Sequence, residues 1–165
     1  MGAGRQRPGA RMKILVALML ALCAAAPAWS WTGRVQEAAS GDALLVHGPD
    51  GDEVLVRLYG IEAPGPAEPE GQAARQALDE LTRGRDVDVL PLSGGGSRQT
   101  GHVLLDLQDL SREMVRLGRA WVDWPRCVQG VCRAWLNDEQ QARAVGLGLW
   151  RDSPLRPESE PQPGG

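Results

Sequence analysis

Val54-Leu55-Val56-Arg57-Leu58-Tyr59-Gly60-Ile61-Glu62-Ala63-Pro64-Gly65 is the stretch that decides how this chain is read. Val54, Val56 and Leu58 alternate with Leu55, Arg57 and Tyr59, which predicts a strand with two differently used faces. Gly60 frees the backbone for a bend, and Pro64 ends any ladder by removing a donor. Arg57 then stands on a rigid strand with Glu62 in the turn just beyond it. A fixed guanidinium beside an acidic turn suits a phosphate and a hard cation. Taken alone, such a pattern more often marks an ordinary strand with a surface arginine.

The neighbouring blocks narrow the choice. Upstream lie Thr32-Gly33-Arg34-Val35 and Ser40-Gly41-Asp42-Ala43-Leu44-Leu45-Val46, which predict a strand, a turn and a second strand. Downstream come Gly101-His102-Val103-Leu104, then Met114 to Val122, then Ala142 to Trp150. In this order and spacing the blocks resemble the staphylococcal-nuclease-like (thermonuclease) family over Thr32 to Trp150. Fold follows from such a resemblance more directly than activity does.

Periodicity supplies the elements. Strands are expected at Gly33–Val35, Ala43–His47, Val54–Gly60, Val87–Leu90 and His102–Leu105. A helix is expected over Gly71–Arg83, with Ala74, Ala77, Leu78 and Leu81 on one face and Gly84 ending it. Ser111 is the expected cap of a helix through Leu117, and a last helix is expected over Ala134–Val145. The glycine-rich run Ser93 to Thr100 reads as a mobile loop. The sum is an α+β chain, a five-stranded Greek-key barrel of the OB type with about three helices, which the resemblance also implies. Trp121, Trp124, Trp135 and Trp150 are candidates for base-stacking platforms or for core, and core is the commoner use.

Of 165 residues, Met1 to Ala28 read as a secretory signal: Arg5, Arg7, Arg11 and Lys13 precede the apolar run Ile14–Ala25, and Ala26-Pro27-Ala28 offers a cleavage site. The expected product is a periplasmic or secreted protein without a membrane span, its domain at 29–150 and a disordered, proline-rich tail at 151–165. Four of the 18 basic residues lie in the signal, leaving 14 arginines against 21 acidic residues, a formal charge of −7. That balance counts against general nucleic-acid binding, though a local arginine cluster can override it. Cys127 and Cys132, in an oxidising compartment, are expected to form a disulfide; zinc is the competing reading.

The resemblance implies Ca²⁺-dependent cleavage of phosphodiesters by an activated water. It needs carboxylates for the cation, a carboxylate for the water, and two guanidiniums for the phosphoryl oxygens. Carried over residue by residue, Asp42 and Glu62 fall at the metal positions, with Glu62 where the family usually has Asp. Arg57 falls at the first phosphate-binding arginine. Gly65 falls at the catalytic glutamate, and His102 follows Gly101 where a Gly-Arg step is expected at the start of the fifth strand. Glu68 and Glu70 are candidates for a relocated carboxylate. The expectation is a degenerate active site, a pseudoenzyme that binds nucleic acid or nucleotide phosphate weakly. Two alternatives stand beside it: an active metal-dependent nuclease using Glu68 or Glu70, and a disulfide-stapled domain that binds an unidentified protein and no nucleic acid.

Overall fold

Val54, Val56 and Leu58 do enter a core, while Glu53 and Arg57 face out, in a computed structural model that describes residues 30–151. The expected leader, 1–28, and all of the expected tail but Arg151 lie outside the described residues. The strands are β1 (Trp31–Ser40), β2 (Ala43–His47), β3 (Glu53–Leu58), β4 (Ile61–Glu62), β5 (Asp86–Gly95), β6 (Arg98–Leu105), β7 (Gln108–Asp109) and β8 (Trp121–Val122). The helices are α1 (Gly71–Thr82), α2 (Leu110–Arg116) and α3 (Val131–Ala144), followed by a 3-10 turn, Gly148–Trp150.

Five strands close a barrel. The order β3-β2-β1-β5-β6 is antiparallel throughout, and a parallel pairing of β3 with β6 shuts the seam. With three helices this is the expected α+β OB-type fold. Val35, Leu44, Val46, Val56, Val87, Val89 and Val103 fill the barrel and are almost wholly buried. Each such side chain contributes about 1.5–3 kcal/mol on burial, so the barrel is held by its own inward face. Ala74 and Leu78 of α1 pack beneath it, with Ala77 and Leu81 at the edge. Among the described residues no helix is long and apolar enough to cross a membrane.

Gly60 sits between β3 and β4 with φ 72°, a conformation that a Cβ would strain. Its missing side chain also makes room for Cys127, whose Sγ would stand 2.6 Å from a Cβ there.

Three expectations need correction. Ser93 to Thr100 is no loop: β5 runs to Gly95 and β6 starts at Arg98, with Gly94 opposite Gln99 and Gly95 opposite Arg98. Gly96 at φ 56° lets two residues turn the hairpin, which is the turn chemistry such a run encodes. A register shift between Pro91 and Ser93 takes up the proline that cannot donate. Ser111 does not cap α2; Asp109 does, its Oδ1 accepting from the Ser111 N–H at 2.8 Å. The last helix begins at Val131, three residues before Ala134, and so takes Cys132 into its first turn. Trp121, Trp135 and Trp150 are buried, which places them in the core.

Candidate active site

The turn from β1 to β2 brings Asp42 against β3. Its backbone oxygen accepts from the Leu58 N–H at 2.8 Å, and Ser40 Oγ donates to its Oδ1 at 2.6 Å. Arg57 Nη2 stands 2.8 Å from Asp42 Oδ2. That oxygen is buried and receives no aligned hydrogen bond, so the contact is ionic rather than directional. The Arg57 side chain stays 48 % exposed, so the pair with Asp42 does not bury it.

Asp42, Arg57, Glu62, Gly65 and Glu68 line one cleft of about 370 Å³. Glu62 has its carboxyl pKa raised, first by burial and then by the nearby Asp123 carboxylate; Arg57 and Arg126 oppose the rise. Asp123 is 2 % exposed at the side chain and holds Arg126 at 2.7 Å, and Arg126 comes within 4.0 Å of Glu62. A second groove, of about 690 Å³, runs from the other side of Arg57 past Tyr59, Leu92, Thr100, Arg126 and Gln129. Arg57 therefore stands between two hollows.

The sequence-derived candidates divide. Glu68 joins the cleft, its Oε2 accepting from the Gly65 N–H at 3.1 Å. Glu70 does not: its carboxylate accepts from Arg119 at 2.8 Å, outside the residues lining the cleft. His102 is held elsewhere. Its Nδ1 lies 2.6 Å from Asp109 Oδ2 and its Nε2 3.2 Å from Gln129 Oε1, with Tyr59 and Trp135 rings packed around it. The hydrogen bond to Asp109 raises the imidazole pKa, against the opposing effect of burial. Cys127 and Cys132 are joined in a disulfide, which removes the zinc reading.

His102 was expected to open the fifth barrel strand. That strand opens four residues earlier, on Arg98. Parallel pairing sets Leu55 opposite Arg98 and Arg57 opposite Thr100, so Arg98 shares the outward face of Arg57 one pleat away. Strand spacing and rise put the two Cα atoms roughly 8 Å apart. Arg98 is exposed and forms no ion pair among the described residues. No sequence signal marks Arg98, because the glycine-rich run before it reads as a loop; Asp123 and Arg126 lie in a short loop that carries no motif of its own.

A hard cation needs oxygen donors, and Asp42 and Glu62 on one wall, with the buried, unaligned Oδ2 of Asp42, fit that chemistry. The set is small: among the described residues no three His, Cys, Asp or Glu side chains gather as a metal site. Water and phosphate oxygens would have to complete the shell.

Comparison with known proteins places the chain in a family. A model described as Staphylococcal nuclease homologue matches residues 55–152, from β3 through Arg57, Glu62 and Arg98. A Haemophilus influenzae protein named "Uncharacterized endonuclease" is 28 % identical over 128 residues, covering 76 % of this chain and 70 % of that protein. "Protein ParB" of Escherichia coli is 31 % identical over 174 residues, covering 90 % and 88 %. A longer protein of Oryza sativa subsp. japonica, named "Probable staphylococcal-like nuclease CAN1", is 31 % identical over 114 residues, 65 % of this chain and 34 % of its own length.

Proposed function

The chain belongs to the family of staphylococcal nuclease homologues, and from that membership we propose that its cleft binds the phosphodiester backbone of nucleic acid and hydrolyses it weakly. The placement of Arg98 beside Leu55, on the outward face that carries Arg57, is the observation that supports this most. Two arginines on one outward face, their Cα atoms roughly 8 Å apart, can each neutralise a phosphate along one strand, and arginine stays charged at any physiological pH. Asp42 and Glu62 would hold a cation, which supplies further neutralisation of phosphate charge; Ca²⁺ is the cation that nucleases of this family generally use. Hydrolysis is weakened because Gly65 offers no carboxylate to the water. Losing a general base costs roughly 10²–10⁴ in rate.

Net acidity does not defeat this reading, since the phosphate meets two local arginines before it meets the rest of the surface. It does limit the number of contacts. With two phosphates' charge neutralised on a single strand, log K should fall against log salt with a slope of about −1.4. Titration of a labelled single-stranded oligonucleotide in CaCl₂ and in EDTA measures this. Arg98→Ala should halve the slope and weaken binding in both media. Absence of binding at low salt would replace the reading with that of a protein-interaction domain.

Export belongs to the same proposal. Its support is the basic start, the apolar run Ile14–Ala25 and the Cys127–Cys132 bond, since disulfides persist outside the reducing cytosol. Mass spectrometry of the cell-envelope fraction should find a chain starting at Trp29; a cytoplasmic species retaining Lys13 would overturn it.

A further inference from the structure

We propose that the Glu68 carboxylate positions and deprotonates the attacking water, in place of a side chain at position 65. This rests on the cleft being a phosphodiester site, and it adds the group that such a site lacks.

The geometry comes from one tight turn. The Glu68 N–H donates to the Gly65 oxygen at 2.9 Å, and the Gly65 N–H donates back to Glu68 Oε2 at 3.1 Å. Pro66 takes the second place of this four-residue turn, where its fixed φ is already suitable. The reciprocal pair folds the Glu68 side chain over Gly65 instead of letting it extend into solvent. A Cβ built on Gly65 would stand 3.7 Å from the Glu68 Cδ and 3.8 Å from its Oε1. The carboxylate therefore occupies the neighbourhood that a longer side chain at position 65 would enter. It lines the same cleft as Asp42, Arg57 and Glu62.

Only one of the two oxygens is committed. Oε2 accepts the Gly65 N–H, and Oε1 has no hydrogen bond among the described residues. A carboxylate oxygen left open in this way can accept a hydrogen bond from water and take its proton as general base. In the step, the water oxygen forms a bond to phosphorus as the bond to the leaving ester oxygen breaks. Glu68 receives the proton from the water, and the departing oxygen is protonated by solvent. Arg57, which lines the cleft, holds the phosphoryl oxygens while charge accumulates there, and Arg98 adds positive charge on the same outward face outside the cleft lining. Glu70 cannot exchange roles with Glu68, because Arg119 holds it outside the cleft.

Full-length protein, a 5′-labelled single-stranded oligonucleotide and CaCl₂ suffice for the test. Wild type should bind and cleave slowly. Glu68→Gln should cut cleavage by about 100-fold or more while binding changes less than about twofold. Adding Gly65→Glu to that variant should restore cleavage, and Glu70→Gln should behave as wild type. The exposed site makes misfolding easy to exclude by thermal melting. Cleavage unchanged in Glu68→Gln, or wild-type binding with no cleavage at all, overturns the role of Glu68 and leaves phosphodiester binding standing. Loss of binding in the wild type overturns both.

Discussion

Thr100 faces Arg57 across the barrel seam, and the outward face of β6 has a basic residue on either side of it. On one side, Arg98 is exposed and unpaired among the described residues. On the other, His102 has both ring nitrogens engaged, by Asp109 and Gln129, and aromatic rings around it. Residues four apart on one strand thus serve opposite ends. A basic group whose partners lie within the fold contributes to the fold, and one left without a partner is available to a ligand. The sequence alone invites the opposite assignment, since His102 follows a glycine in the expected place and Arg98 follows a run of glycines.

Arg57 stands between the two ends and should give the largest effect when removed. If Arg57 meets phosphate as proposed, Arg57→Ala takes away a charge-assisted contact of about 1.5–3 kcal/mol, so oligonucleotide affinity should fall by roughly 10–100-fold. It also leaves Asp42 Oδ2, buried and without an aligned hydrogen bond, facing no cation. Because Asp42 Oδ2 is buried while the arginine is half exposed, the stability lost should be about 1–3 kcal/mol. Parallel binding and urea-unfolding measurements separate the two. A variant that unfolds readily but binds as wild type would make Arg57 a structural residue and erase the contrast.

The barrel was legible because its signals are local and repeated. Alternation in Val54, Val56 and Leu58, the left-handed Gly60, and the amphipathic face of α1 each report on a few neighbouring residues, and all agree. The site was legible only where a residue sits inside such an element, as Arg57 and Asp42 do. Arg98 was missed because strand length in a glycine-rich hairpin is set by pairing across the ladder, which no local pattern records. Asp123 and Arg126 were missed for a related reason. Their relation to Glu62 exists only after β8 pairs with β4, Trp121 opposite Glu62. The fold-back of Glu68 onto Gly65 is local, and Pro66 was its available signal; the direction of the carboxylate was not.

His102 offers the smallest effect and the finest test of the closed end. Its Nδ1 contact to Asp109 ties β6 to the start of α2, because Asp109 also caps that helix through its other oxygen. Its Nε2 contact to Gln129 ties β6 to the disulfide loop, which Tyr59 Oη also holds by accepting from the Val128 and Gln129 N–H groups at 2.9 and 3.2 Å. With acceptors on both sides, the imidazole is best satisfied when both nitrogens carry protons, and Asp109 raises its pKa accordingly. The folded value lies above the unfolded value of about 6.5. The stabilisation is therefore complete below about pH 6.5 and is lost as pH rises through the higher folded value. Wild type should exceed His102→Gln in unfolding free energy by about 1.5 kcal/mol at pH 5.5, with the gap narrowing in alkaline buffer. Urea titrations across that range measure it, and a gap that is flat or widens with pH would dismiss the charged contact. Oligonucleotide binding should change less than about twofold. A tenfold loss at pH 5.5 would instead make His102 a phosphate donor, and the two ends of the seam would no longer differ.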